Sequence, residues 1–108
     1  MKNGEIWIIN SRDSGGHEQS GIRPAVVVSG VVARIVIVVP FTSNVRALRF
    51  AHTIQFSPTA SNNLSANSIA MIFQLRAVDV KRLETKIGFL STNEMKSLGL
   101  EIKKMLRL

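Results

Sequence analysis

The fold is decided by the stretch Pro24-Ala-Val-Val-Val-Ser-Gly-Val-Val-Ala-Arg-Ile-Val-Ile-Val-Val39. Its density of β-branched residues favours strands over a helix, because these side chains are restricted in a helix and pack well on a pleated surface. We expect one strand from Pro24 to Val28, since proline is tolerated as the first residue of a strand. The dipeptide Ser29-Gly30 then reverses the chain, a second strand runs from Val31 to Val39, and Pro40 ends it.

Further strands are expected on both sides of this pair. Gly4 to Asn10 is almost continuously apolar, and Ala51 to Phe56 alternates in polarity. Ile69 to Phe73 resumes the apolar pattern, and one more short strand is predicted around Ile87 to Leu90. The sequence therefore indicates a mainly β protein.

Two long polar segments connect these strands. Ser11 to Gly21 contains no apolar side chain, and it is longer than the roughly 2–5 residues of a hairpin loop. It is either a disordered excursion or a functional loop carried by a rigid sheet. Ser57 to Ser68, rich in Ser and Asn, is predicted to be a second loop.

A helix is predicted at the end of the chain. Ser91 and Glu94 have the spacing of a capping box, and Leu90 and Met95 occupy the staple positions around it. An apolar stripe with three- and four-residue steps predicts that this helix packs across the sheet. The stripe consists of Met95, Leu98, Ile102, Met105 and Leu106. We expect one domain over residues 1–108, a small, strongly bent antiparallel sheet or barrel with a C-terminal helix.

Composition narrows the function classes. The 108 residues carry a formal net charge of +7 and no cysteine, which excludes disulfides and thiolate metal sites. No acidic residue occurs between Gln19 and Val78, a segment that contains five arginines, so a nucleic acid or an acidic protein is favoured as partner. The N-terminus lacks a signal-peptide core, and the apolar run 25–39 is shorter than the roughly 20 residues of a membrane span. We expect a soluble cytoplasmic protein.

The residues favour chemistry without a cofactor. The two histidines lie in separate segments, paired carboxylates at ligand spacing are absent, and neither a phosphate-binding glycine loop nor a nucleophile elbow occurs. RNA supplies its own nucleophile, the 2′-hydroxyl, so cleavage needs proton transfer and stabilisation of phosphorane charge. Arg23 is suited to stabilise the phosphorane charge. Glu18 or His17 could transfer protons, and the hydroxyl of Thr42 could donate to a phosphate oxygen.

Several strings resemble the MazF/PemK family of toxin endoribonucleases. They are Gly4-Glu5-Ile6-Trp7, then Gly16-His-Glu-Gln-Ser-Gly-Ile-Arg-Pro-Ala-Val-Val-Val-Ser29, then Val39-Pro-Phe-Thr-Ser43, then Gln74-Leu-Arg-Ala-Val-Asp-Val-Lys-Arg-Leu83, and Gly88 to Met95 before the helix. They follow one another in the family's order over nearly the whole chain. Two positions depart from the family pattern: Phe73 stands where an acidic residue usually precedes the glutamine, and the connection 29–33 is short.

The resemblance implies an SH3-like small barrel, shared with the CcdB toxins, and a homodimer. It implies sequence-specific, metal-independent cleavage of single-stranded RNA without a cofactor, and neutralisation by an acidic antitoxin protein. The family's catalytic arginine and threonine correspond to Arg23 and Thr42, and Glu18 is implicated in some members. The side chains then expected to bind RNA are His17, Gln19, Ser43, Asn44, Arg46, Arg49, Gln74 and Arg76.

Two other functions remain open from the sequence. A CcdB-like toxin would bind a protein target such as gyrase and cut nothing, since a fold does not fix a function. A catalytically silent RNA-binding barrel would need aromatic platforms for bases, and the chain has one Trp, five Phe and no Tyr. Trp7 and Phe41 could serve there if exposed, although core packing is the expected role of each.

Overall fold

The computed structural model describes residues 1–10 and 22–108, and these residues form an antiparallel sheet with one α-helix. The sheet has seven strands in the order β4-β5-β3-β2-β1-β7, with β6 also paired to β3. This confirms the predicted class, a mainly β protein closed by a C-terminal helix. The elements are β1 Glu5–Asn10, β2 Ile22–Val27, β3 Ile35–Thr42, β4 Thr53–Phe56, β5 Ser68–Met71, β6 Arg76–Asp79, β7 Leu83–Phe89 and α1 Thr92–Leu106.

Strand β3 is the centre of the sheet, and it does not end at Pro40 as predicted. It continues to Thr42, because Pro40 lies at a position where its missing N–H removes no hydrogen bond between strands. Ile37 directs its backbone groups towards the β2 side, where its carbonyl accepts from Val28 at 2.9 Å. Because the backbone groups of successive strand residues point alternately to the two neighbouring strands, those of Pro40 point to the opposite edge of β3. There, pairing with β6 has ended at Val38 and pairing with β5 begins only at Phe41.

The reversal between β2 and β3 is longer than predicted. The segment from Val31 was expected to be strand, but β3 begins at Ile35. Val32 and Ile35 exchange two backbone hydrogen bonds of 2.9 and 2.8 Å around Ala33 and Arg34, which have φ of 51° and 67°. Two left-handed residues in succession make a tight turn that usually carries Asn-Gly, so Ala33-Arg34 gave no turn signal.

Other boundaries also differ from the sequence prediction, and strand β2 runs from Ile22 to Val27 rather than from Pro24 to Val28. Strand β4 begins at Thr53 because His52 has a φ of 61°, which no strand residue adopts. Strand β5 ends at Met71, and the rest of the predicted strand, Ile72 and Phe73, belongs to the 3₁₀ turn Ile72–Gln74. Strand β7 is longer than the segment at residues 87–90, because it pairs with β1 from Leu83 onward through two register shifts.

Two hydrophobic clusters lie on opposite faces of the sheet. The larger cluster includes Phe41, Phe56 and the helix residue Leu98. The helix begins with the predicted capping box and presents Met95, Ile102 and Met105 to this cluster, whereas Leu106 is exposed, contrary to prediction. The smaller cluster, on the other face, consists of Ile9, Ala25, Val27, Val36, Val38, Val78 and Leu83, with Trp7 and Val80 packed against it.

The predicted loop Ser57 to Ser68 is one residue shorter in the structure, because Ser68 begins β5, and the connection 57–67 is fastened to the rest of the fold. Asn62 is fully buried, and its side-chain amide donates to Ser57 and to the capping residue Glu94 while its oxygen accepts from Thr59 and Leu64. This arrangement fixes the loop against the start of α1. Within the described residues, no helix is long and apolar enough to cross a membrane.

Candidate functional site

Arg23 and Thr42 are brought together by the register of β2 and β3. The ladder pairs Ala25 with Pro40 and Val27 with Val38, and the same register extended by two residues sets Arg23 opposite Thr42. Paired residues of neighbouring strands share a face, and residues two apart in a strand share it too. Both side chains therefore lie on the face of the smaller cluster, at its end.

Thr42 is buried, with its hydroxyl already oriented. Its Oγ1 accepts a hydrogen bond of 3.2 Å from the backbone N–H of Asn44. A hydroxyl has one donor and two acceptor positions, so this bond leaves the proton of Thr42 available to a ligand. The same residue pairs with Ile69 of β5, which fixes its backbone.

Arg23 is half-buried beside the apolar end of β1. Its backbone pairs with Ile9, a buried member of the smaller cluster. The buried Nε of Arg23 has no hydrogen-bond partner among the described residues. A buried donor without a partner is costly, and an anion in the adjacent space would satisfy it. The guanidinium is thus placed to bind a phosphate group.

One cavity joins these two residues. It has a volume of about 350 Å³, and both Arg23 and Thr42 line it together with Ser43. The second polar connection reaches the same space through Ser65 and Ala66.

A second cavity lies on the other side of Thr42. Its volume is about 300 Å³, and Thr42 belongs to both linings. Four of the residues predicted to bind RNA line it, and all of them come from the two 3₁₀ turns Val45–Arg49 and Ile72–Gln74 or their flanks. These four are Asn44, Arg46, Arg49 and Gln74. The structure therefore gathers most of the predicted set around Thr42.

The remaining predicted residues differ in their placement. Arg76 lies on β6 opposite Val38, on the same sheet face as Arg23, and lines neither cavity. Glu18, His17 and Gln19 lie outside the described residues. Their predicted roles stay predictions.

The electrostatics around the two cavities are one-sided. The described segment 22–78 contains no carboxylate side chain, so Arg23, Arg46 and Arg49 face no acid from it. Among the described residues, no group of three or more His, Cys, Asp or Glu could hold a metal ion. Such a surface favours polyanions.

Sequence reasoning missed two aromatic residues of the second cavity. Phe50 and Phe73 line it, with 47% and 37% of their surfaces exposed. The aromatic residues considered from the sequence behave differently. Phe41 is buried in the core, as expected, and half-buried Trp7 donates to Glu5 at 3.0 Å. Two features of the sequence could have pointed to these residues. Phe50 directly follows a basic segment, and Phe73 occupies a position where the family pattern usually has an acidic residue.

The fold and the site define a class: a small antiparallel β protein that presents an arginine and a threonine in a cavity whose described lining carries no carboxylate. A family model described as PemK-like, MazF-like toxin of type II toxin–antitoxin system matches residues 2–106. The chain belongs to this family.

Relatives agree with this assignment. The chain is 26% identical to the endoribonuclease MazF of Staphylococcus saprophyticus, covering 92% of this chain and 85% of that protein. It is 33% identical to the endoribonuclease PemK of Escherichia coli over 75% of this chain and 62% of that protein. Both relatives are named as endoribonucleases, which supports the ribonuclease hypothesis over the CcdB-like alternative.

Solved structures confirm the fold. MazF of Deinococcus radiodurans superposes with a TM-score of 0.82 at 19% identity, covering 100% of this chain and 97% of that one. A mycobacterial endoribonuclease in complex with its cognate antitoxin gives a TM-score of 0.72 at 13% identity, covering 100% and 94%. At these identities the likeness concerns the fold, and it confirms the predicted small-barrel type.

Proposed function

We propose that this protein is a sequence-specific, metal-independent endoribonuclease toxin that cleaves single-stranded RNA. The observation that carries the proposal is the placement of Arg23 and Thr42 in one cavity that the described part of the chain leaves free of carboxylates. Membership of the toxin family and the names of its relatives support the reaction class.

The proposed reaction uses the nucleophile of the substrate. The 2′-hydroxyl loses its proton and attacks the adjacent phosphorus, the bond to the 5′-oxygen breaks, and that oxygen gains a proton. The products are a 2′,3′-cyclic phosphate and a 5′-hydroxyl. Arg23 stabilises the additional charge of the phosphorane, since its guanidinium offers two parallel donors and stays protonated. The free hydroxyl proton of Thr42 donates to a phosphate oxygen, and Glu18 or His17 carries the protons.

The surrounding polar residues would hold the RNA strand. Ser43 lines the cavity of Arg23, whereas Asn44, Arg46, Arg49 and Gln74 line the adjoining one. Since Thr42 belongs to both linings, a strand passing it would place successive nucleotides in the two cavities. We assign phosphate contacts to the arginines and base contacts to the amides, with Arg76, His17 and Gln19 in supporting positions.

The proposal also covers the protein partners of the toxin and its location in the cell. The family is that of toxins from type II toxin–antitoxin systems, and an acidic antitoxin would bind the same basic surface through charge complementarity and exclude RNA from it. We further propose that the toxin acts as a homodimer in the cytoplasm, where mRNA is available.

The decisive experiment is cleavage of a defined single-stranded RNA in excess EDTA, with Arg23→Ala and Arg34→Ala run beside the wild type. Arg34 is an exposed arginine of the distant β2–β3 reversal, which makes it a matched control. Cleavage by the wild type and Arg34→Ala, with a loss of about 10³-fold or more in Arg23→Ala, is the expected result. Cleavage that survives in Arg23→Ala would refute the assignment of the site. Intact RNA in every reaction, together with capture of gyrase, would instead favour the protein-targeting alternative.

A further inference from the structure

Phe50 and Phe73 form an exposed aromatic pair that the hydrophobic core does not use. Their ring centroids are 5.2 Å apart with an interplanar angle of 45°. Neither ring belongs to any of the buried clusters. Single exposed apolar residues are common, but two large exposed rings in contact beside a cavity are typical of an interaction site.

The pair is held rigidly by the backbone beneath it. Phe50 closes the 3₁₀ turn Val45–Arg49 through a bond of 3.1 Å to Ala47. Phe73 lies in the turn Ile72–Gln74, where the carbonyl of His52 accepts from Ile72 and Phe73 at 3.0 and 3.4 Å. The ring of His52 is itself fixed 2.8 Å from Glu101 of α1. The two rings therefore present a preorganised surface.

Two arginines line the same cavity as the pair. The guanidinium carbon of Arg49 lies 5.0 Å from the centroid of the Phe50 ring, a cation–π distance. Arg46 lines the same cavity, and Thr42 lines both this cavity and the one of the proposed cleavage site. An apolar protein segment would gain little from two arginines at its edge. A nucleotide matches both features, because its base has a π face and its phosphate is an anion.

We propose that Phe50 and Phe73, with Arg49, form a platform on which one base of the single-stranded RNA stacks, next to the phosphate at Thr42. The inference rests on the proposed function and adds a defined subsite to it. Stacking accepts any base, since every base has a π face, so the platform contributes affinity and strand position rather than sequence preference.

The test measures binding separately from cleavage. The probe is a short single-stranded oligonucleotide that lacks 2′-hydroxyls and carries 2-aminopurine at successive positions, because stacking quenches the fluorescence of this base. We expect wild-type protein to quench the probe at one position. We expect Phe73→Leu and Phe50→Leu to lose that quenching and to bind about tenfold more weakly. Leucine keeps the apolar volume and removes the π face.

Phe89→Leu is the matched control, because Phe89 is 53% exposed on β7 and lines neither cavity. It should leave quenching and affinity unchanged. An abasic nucleotide at the quenched position should weaken wild-type binding but not that of Phe73→Leu.

Several outcomes would overturn the platform while leaving the ribonuclease assignment intact. One is RNA cleavage by wild type together with equal binding and equal quenching by Phe73→Leu. Another is a change of oligomeric state, seen by sedimentation, in the Phe50 and Phe73 variants without a change in quenching, which would make the pair a contact between copies of this chain. Position-specific quenching without any RNA cleavage would instead support the platform and contradict the proposed reaction.

Discussion

Arg23 and Thr42 occupy opposed register positions on two strands that have already stopped pairing. The last pair of the β2–β3 ladder is Ala25 with Pro40, and beyond it Thr42 pairs with Ile69 of β5. The two strands therefore keep their relative register while a cavity opens between their ends. A rigid sheet holds both side chains, and the opening between them is large enough for a phosphate.

The hydroxyl of Thr42 is expected to matter for chemistry more than for stability. Thr42→Val keeps the shape and removes the donor, so cleavage should fall by about 10²-fold. The free energy of unfolding should fall by about 1 kcal/mol, because the N–H of Asn44 loses its acceptor near solvent. Thr42→Ser should restore most of the activity. Single-turnover cleavage and urea unfolding measure the two effects, and equal activity in Thr42→Val would contradict the assignment.

Gly88 is expected to tolerate no side chain. A Cβ there would collide with the carbonyl oxygen of Ser61 and lie 2.8 Å from that of Asn62, and both are backbone atoms of the fastened loop. Gly88→Ala should lower the free energy of unfolding by at least about 2 kcal/mol. The control is Gly99→Ala on α1, where a Cβ meets nothing within 4 Å, and it should stabilise the protein by about 0.5–1 kcal/mol. Denaturant unfolding measures both, and equal effects of the two substitutions would contradict the packing argument.

Asn62 is expected to be the most sensitive polar residue of the loop 57–67. Its amide donates to Ser57 and Glu94 within 2.9–3.2 Å, and Asn62→Ala would remove these bonds and leave the buried N–H of Leu64 without its acceptor. The free energy of unfolding should fall by about 2–4 kcal/mol. Asn67→Ala, at an exposed position of the same loop, should change it by less than about 0.5 kcal/mol. Thermal melting of both variants distinguishes a specific network from a generally fragile loop.

Glu5 is expected to make stability depend on pH in the acid range. The hydrogen bond from Trp7 lowers the pKa of Glu5 to about 2, with the nearby ammonium of Lys86, 3.1 Å away, acting in the same direction. Because the folded pKa lies below the unfolded value of 4.5, the contribution is present above pH 4.5 and is lost as pH falls towards 2. Glu5→Gln should reduce stability at pH 7 by about 1–2 kcal/mol and have no such effect at pH 2. Urea unfolding at several pH values tests this, and an equal difference at pH 7 and pH 2 would contradict it.

The sequence by itself determined the strand-rich class, the capped helix and the acid-free segment. It also identified Arg23 and Thr42 as candidate catalytic residues. These features follow from local chemistry: β-branched density, a capping box, a charge count and the motifs that resemble the toxin family. Boundaries that depend on neighbouring strands could not be read locally. Pro40 stays within β3 because its missing N–H falls between two partners, and the turn at Ala33-Arg34 uses left-handed residues without glycine.

Only the tertiary structure decided which side chains share a space. The extended β2–β3 register, and the transfer of β3 from β6 to β5, place Thr42 between two cavities. The contact of Phe50 with Phe73 joins turns 23 residues apart, and it exists because one carbonyl, that of His52, holds the second turn beside the first. Periodicity and motifs report what a residue does along its own element, whereas a site is built where elements distant in the chain meet.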